Sequence, residues 1–256
     1  MKTVQVRELT LGEGRPKIIV PVVGKTEEMI LAEAKEAAQK AEIVEWRADL
    51  FEGVNDLLQV TALLTQLRET LDETPLLFTL RTKKEGGEFE GSKDSYSEIV
   101  KAAAEHRETD LVDIELSIGE REAAPLVKAA HGKEKAVILS FHDFEKTPDK
   151  KTLVEKLMKM DRAGADILKI ACMPKNEQDV LTLLAASLEM KELNTEKPMI
   201  AISMGEKGLI SRLSGEVFGS VCTFGTTGQA SAPGQIDAEE MRTVLETIHK
   251  NIEGEK

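Results

Sequence analysis

The sequence predicts an α/β fold, a (β/α)8 TIM barrel with an N-terminal β-hairpin closing the barrel bottom. Three observations predict it. Short β-branched runs alternate eight times with longer amphipathic stretches, the pattern of successive strand–helix units around a parallel sheet. No low-complexity linker interrupts them, so residues 1–256 are expected to form a single barrel domain. Several of the runs carry ionisable residues on only one of their two faces, which suits strands whose C-terminal ends converge on a site.

The stretch Thr3–Gly14 reads as the hairpin. Strands follow near Lys17–Val23, Ile43–Ala48, Leu76–Arg81, Leu111–Leu116, Ala136–His142, Asp166–Ala171, Met199–Met204 and Val221–Phe224. Leu57, Val60, Leu64, Leu67 and Leu71 recur at steps of three and four, which marks one face of a helix. Asn176 is placed to cap a helix carrying Val180, Leu184 and Leu188. Gly205–Ser220 breaks the rhythm and is expected to hold short helices. Asp237 would cap the last helix, whose stripe is Met241, Val244, Leu245, Ile248 and Ile252.

Composition narrows the function. The apolar fraction of 41% can build a sizeable core, and a net charge of −12 argues against nucleic acid and anionic membranes as partners. No apolar run approaches the roughly 18 residues that would span a bilayer. The opening stretch lacks the apolar core of a secretory signal, so a cytoplasmic protein is expected. Cys172 and Cys222 both fall in strands and are expected as buried, reduced thiols.

Alternation locates the chemistry, because residues two apart on a strand share a face. Ile43, Glu45 and Arg47 oppose Val44, Trp46 and Ala48. Thr79 and Arg81 oppose Phe78 and Leu80. Asp113 and Glu115 oppose Val112, Ile114 and Leu116. Ser140 and His142 oppose Leu139 and Phe141, and Ile167, Lys169 and Ala171 oppose Leu168 and Ile170. In a barrel the apolar faces meet the outer helices. The other faces would aim Glu45, Arg47, Arg81, Asp113, Glu115, His142 and Lys169 at one place, where a purely structural barrel would hold Val, Ile and Leu.

Lys169 is the sharpest of these. It sits inside the apolar run Ile167–Ala171, and a buried ammonium is costly unless paired or neutralised. Burial favours the neutral, nucleophilic amine, as in Schiff-base lysines. The competing reading is a lysine that snorkels to the strand end or pairs structurally with a carboxylate. An imine is an electron sink, so the neighbouring carbon can lose a proton, and His142 suits that transfer. Arginines fit a carboxylate and hydroxyls. A metal site at His142 is not expected, since His106, His131 and His249 have no ligand spacing. Asp143 alternates to the opposite side from His142 and is a weak candidate to orient it. Glu85, in the run after Arg81, reads from pattern alone as a surface acid.

The motifs EWRAD (Glu45–Asp49), TLRTKKEGGE (Thr79–Glu88), SFHDF (Ser140–Phe144), LKIA (Leu168–Ala171), SMGEKGLISR (Ser203–Arg212), FGSVCTF (Phe218–Phe224) and SAPGQI (Ser231–Ile236) together resemble type I 3-dehydroquinate dehydratase. The resemblance covers nearly the whole chain in order. It implies a lyase of the shikimate pathway, serving chorismate and aromatic amino acid biosynthesis, with a (β/α)8 barrel, a homodimer and no metal or other cofactor. It implies that Lys169 forms the Schiff base with the C3 ketone of 3-dehydroquinate. His142 would remove a C2 proton and then protonate the departing C1 hydroxyl in a syn elimination, with Glu85 orienting it. Arg212 would bind the substrate carboxylate, and Glu45, Arg47 and Arg81 would surround the ring hydroxyls. Ser231 and Gln235 would belong to a closing loop, with Met204 and Phe224 as apolar walls. Ile202 departs from relatives that carry a second methionine there.

Two other readings stay open at this stage. Another Schiff-base barrel enzyme, such as a class I aldolase acting on a sugar phosphate, would want a phosphate cup after the seventh and eighth strands. A non-catalytic barrel binding a small hydroxy acid would use the arginines but need neither Lys169 nor His142.

Overall fold

In a computed structural model that describes residues 2–228 and 231–254, the β-branched runs become parallel strands and the amphipathic stretches become the helices around them. The hairpin comes first, β1 (Val4–Val6) antiparallel to β2 (Leu9–Leu11). Eight barrel strands follow: β3 (Lys17–Val22), β4 (Ile43–Arg47), β5 (Leu76–Thr79), β6 (Leu111–Glu115), β7 (Ala136–Asp143), β8 (Ile167–Cys172), β9 (Met199–Ser203) and β10 (Cys222–Thr226). Between them run α1 (Glu27–Ala37), α2 (Leu57–Leu71), α3 (Lys93–Glu105), α4 (Glu120–His131), α5 (Lys150–Arg162) and α6 (Glu177–Glu189). Two short helices, α7 (Leu209–Leu213) and α8 (Gly215–Phe218), fill the stretch where the rhythm breaks. A two-residue strand β11 (Ile236–Asp237) extends the end of β10 before α9 (Ala238–Glu253).

Neighbouring strands pair in chain order from β3 to β9, and β10 returns beside β3 with Cys222 opposite Lys17. The ring closes between β9 and β10 through a single parallel bridge, Met199 to Ser220. There the Val221 N–H donates to the Met199 carbonyl at 2.8 Å and the Ala201 N–H donates to Ser220 Oγ at 3.1 Å. Side-chain caps start the helices as the sequence predicts. Asn176 Oδ1 accepts from the Asp179 N–H and Asp237 Oδ1 from the Glu239 N–H, each cap contributing about 1 kcal/mol.

Strand alternation separates two cores. Val44, Trp46, Phe78, Val112, Ile114, Leu139, Leu168 and Ile170 face outward and pack under the helices, among them Val60, Leu64 and Leu67 of α2. Ile19, Ile43, Leu77, Leu111, Ile138, Ile167 and Ile200 fill the lower barrel interior together with Val6 and Leu11 of the hairpin. The hairpin therefore plugs the N-terminal end of the barrel. Cys172 and Cys222 are buried free thiols.

Most strand ends differ from the sequence expectation by one or two residues, and one helix face is narrower than expected. β5 stops at Thr79 and not at Arg81, because side chains replace the ladder: Asp49 Oδ1 accepts the Arg81 N–H at 3.3 Å and Glu115 Oε1 accepts the Thr82 N–H at 2.8 Å. β7 runs one residue further, with Asp143 paired opposite Cys172. On α9 only Met241 and Leu245 of the expected stripe are buried. Val244 and Ile252 are exposed, because the helix reaches the sheet through β3, β10 and β11 on a narrower face than the apolar pattern suggests.

Candidate active site

Lys169 of β8, Asp113 of β6 and Glu45 of β4 come from alternate strands and meet inside the barrel, the layering expected of this architecture. Lys169 is buried, and its Nζ donates to Asp113 Oδ2 at 2.9 Å, lies 3.8 Å from Glu45 Oε1 and sits 4.6 Å from the centre of the Phe224 ring. The pairing offsets the cost of burying an ammonium. Asp113 Oδ1 in turn accepts from Ser140 Oγ at 2.5 Å and lies 2.8 Å from Arg81 Nη2. Burial alone would raise the Asp113 carboxyl, but Arg81 and then Lys169 overcome that and hold it well below the usual carboxylate range. Arg81 Nη1 donates to Glu115 Oε1 and to Ser140 Oγ, each at 3.0 Å, so both terminal nitrogens of this guanidinium are engaged within the protein. Arg47 is held by Asp49 through Nε at 2.9 Å and Nη2 at 2.8 Å.

His142, near the C-terminal end of β7, faces the same space. Its Nδ1 lies 3.1 Å from Glu85 Oε2, and the same oxygen accepts the His142 backbone N–H at 3.0 Å. That contact assigns the proton to Nδ1 and leaves the Nε2 lone pair available. Burial, then Arg81 and Lys169, pushes the imidazole well below its ordinary value, so His142 is neutral at neutral pH. Burial and next the Glu115 carboxylate push Glu85 up to about 7. Glu85 ends a single helical turn, Lys83–Glu85, and Gly86 follows with φ +81°, where any side chain is strained. A Cβ on Gly86 would lie 2.3 Å from the Phe144 ring, so this glycine lets the loop seat against Phe144.

Arg212 of α7 is 1% exposed, yet its Nη2 donates only to the Pro233 carbonyl at 2.9 Å and its Nη1 to the Phe224 carbonyl at 3.5 Å. Burial lowers it to about 10. Its Nε is buried without a partner and no carboxylate among the described residues pairs with it, so this buried positive charge favours an anionic ligand in the cleft. Pro233 belongs to the loop carrying Ser231 and Gln235, which bond each other: the Ser231 N–H donates to Gln235 Oε1 at 2.7 Å and Gln235 Nε2 to Ser231 Oγ at 3.0 Å. The Gly205 N–H donates to the Pro233 carbonyl and joins this loop to the one after β9.

One cleft at the C-terminal end of the barrel is lined by Glu45, Arg47, Arg81, Glu85, His142, Lys169, Met204, Arg212, Phe224, Ser231 and Gln235. Gly86, Phe144, Ala171, Ile202 and Ala232 complete its walls. The sequence alone does not show that Asp49 grips Arg47 or that the inward-facing Asp113 holds Lys169. Strand alternation gives a face but not a partner. Asp143 does not touch His142; its Oδ1 accepts the Glu145 and Lys146 N–H groups of the following turn. Away from the cleft, His131 pairs with Asp166 and His249 with Glu216. No cluster of three or more His, Cys, Asp or Glu able to hold a metal occurs among the described residues.

The family model for type I 3-dehydroquinase matches residues 18–252. A 3-dehydroquinate dehydratase of Bacillus subtilis is 47% identical over 255 residues, covering 99% of this chain and all of that one. Among solved structures, a type I 3-dehydroquinate dehydratase of Clostridium difficile, crystallised with covalently modified comenic acid, superposes with a TM-score of 0.95 at 46% identity, covering 98% of this chain and 99% of that one. The 3-dehydroquinate dehydratase of Geobacillus kaustophilus gives 0.92 at 39% identity over 96% of each chain. The match in sequence and in shape runs along nearly the whole chain, which belongs to the type I 3-dehydroquinase family.

Proposed function

We propose that this chain dehydrates 3-dehydroquinate to 3-dehydroshikimate through a Schiff base on Lys169. The observation that carries the reading is the meeting of three groups in one cleft: a buried lysine amine, a neutral histidine and a guanidinium without a carboxylate partner. The Arg212 guanidinium takes the substrate carboxylate, and Glu45 and Arg47 contact the ring hydroxyls. Arg81 borders the same ring but spends its donors on Asp113, Glu115 and Ser140, so it acts chiefly by fixing those groups.

Lys169 Nζ attacks the C3 ketone. The ammonium and the ketone together give the protonated imine and one water, with no net change in protons. The imine withdraws electrons from C2, and His142 Nε2 takes the C2 proton to leave an enamine. The enamine electrons return and expel the C1 hydroxyl, which His142 protonates as it leaves. One base serving both steps places them on one face of the ring, a syn elimination. Water then hydrolyses the conjugated imine and frees Lys169.

An aldolase acting on a sugar phosphate fits less well. Its phosphate would need a cup of backbone N–H groups, whereas here the loops after β9 and β10 bind each other and deliver a guanidinium. Family membership supports a cytoplasmic homodimer and a single domain as parts of the same reading. No helix among the described residues is long and apolar enough to cross a membrane.

The test is borohydride reduction in the presence of 3-dehydroquinate, followed by mass spectrometry of peptides. A stable adduct on Lys169 is expected, and Lys169→Ala should abolish both the adduct and most of the turnover. Full turnover by Lys169→Ala would refute the mechanism.

A further inference from the structure

We propose that Asp113 is the counter-ion and aiming residue of the Schiff base: Oδ2 accepts the single N–H of the protonated imine and so fixes the imine plane toward His142. The inference rests on the Schiff-base reading above and adds a positioning residue to it.

The reasoning begins with the valence of Nζ. An ammonium has three N–H bonds and tolerates many orientations. A protonated imine is planar, is bonded to Cε and to the substrate carbon, and keeps one N–H. That N–H can point in one direction only. Among the described residues the acceptor at hydrogen-bonding distance from Nζ is Asp113 Oδ2, at 2.9 Å; Glu45 Oε1, at 3.8 Å, is too far. Asp113 cannot swing to follow the nitrogen. Its other oxygen is gripped by Ser140 Oγ at 2.5 Å and Arg81 Nη2 at 2.8 Å, its side chain is fully buried, and its backbone lies within β6. A fixed acceptor on a rigid strand therefore fixes the N–H direction. The imine plane, and with it the carbon that must face His142, follows from that direction.

The charge matters as much as the direction. The electron sink works only while the imine is protonated, and a buried cation stays protonated when an anion touches it. The other charged groups around the site do not replace Asp113. Glu45 adds negative charge 3.8 Å from Nζ, but that oxygen accepts from Thr79 Oγ1 at 2.8 Å and does not touch the nitrogen; Arg47 is committed to Asp49, Arg81 lies on the far side of Asp113, Glu115 is taken by Arg81 and Thr82, and Glu85 faces His142. Sharing Asp113 between Arg81 and Lys169 also moderates its pull, so the imine can still accept electrons when the enamine forms.

Asp113→Asn keeps the shape and removes the charge. Borohydride trapping at Lys169 should slow, kcat should fall about 100-fold, and KM should stay within about threefold. The alkaline limb of kcat should move to lower pH by about one unit or more, since a neutral amide cannot retain the imine proton. A merely structural carboxylate would lower kcat without moving that limb, and this result overturns the proposal. So does a variant with kcat within about threefold of the parent. If Asp113→Asn does not fold, Ser140→Ala leaves the carboxylate but loosens its grip. It should lower kcat several-fold and shift the same limb in the same direction by less, and an unmoved limb there overturns the proposal. Failure of the parent enzyme to give any Lys169 adduct would instead remove the Schiff-base reading itself.

Discussion

As pH falls from 8, the first proton goes to Glu85, near 7, and His142 accepts one only well below 6.5. Both groups are buried, but Glu85 next meets the negative Glu115 while His142 meets the positive Arg81 and Lys169. The neutral imidazole is the competent base, so kcat/KM should persist below pH 6.5, with a shallow inflection near 7 where Glu85 loses its charge. Glu85→Gln should erase that inflection and lower kcat/KM at pH 8 by no more than the inflection spans, about two- to fivefold, read from kcat/KM between pH 5 and 9. The effect on stability has the opposite sign. A carboxyl raised from 4.5 to about 7 on folding adds stability fully present below 4.5 and lost as pH rises through 7, roughly 3 kcal/mol in all. Glu85→Gln should therefore raise Tm at pH 8 and leave it nearly unchanged at pH 4.5; an equal Tm at pH 8 would contradict this. Such a carboxyl is hard to read from sequence. Lys169 and His142 announce themselves as ionisable residues on otherwise apolar strands, but Glu85 lies on a loop, where only its motif distinguishes it from a surface acid.

The turn after β5 shows where elements diverge from their patterns. The run Leu76–Arg81 reads as one strand, yet the ladder ends at Thr79 because carboxylates of Asp49 and Glu115 capture the next N–H groups. Periodicity reports which face a residue takes; it does not report that a distant side chain will outbid a neighbouring strand. The same capture tilts the following residues so that Glu85 turns back over His142, with Gly86 in the left-handed region against Phe144. Gly86→Ala should cost about 1–3 kcal/mol from backbone strain alone, and more from the clash with the Phe144 ring. It should also misplace Glu85 and lower kcat/KM at least about tenfold. Thermal melts and steady-state kinetics on the same sample check both effects, and an alanine variant with normal kcat would mean that the loop does not depend on this contact.

Across the whole molecule, stability and chemistry occupy opposite ends of one tube. The barrel itself was legible because strand and helix periods alternate along the entire chain. Its closure was not, since the join between β9 and β10 depends on the Ser220 side chain reaching the Ala201 N–H. Climbing the interior, Ile43 gives way to Glu45 on β4, Leu111 to Asp113 on β6, and Ile167 to Lys169 on β8. Below that line the hairpin supplies Leu11, with none of its surface exposed, and Val6 as the floor. Arg7 in the hairpin turn adds an ion pair to Asp110 at the foot of β6. Charged groups can stay buried at the top only if the layers beneath exclude water and hold the strands in register. Leu11→Ala should therefore destabilise the fold by about 2–5 kcal/mol through lost contact and a residual cavity. Because the substitution lies at the far end of the barrel from the cleft, kcat/KM of the folded enzyme should stay within about twofold. Urea denaturation and kinetics below the unfolding transition test the separation. A large fall in kcat with unchanged stability would show that the hairpin reaches the catalytic layer through the stacked interior, and that the two ends of the barrel are coupled.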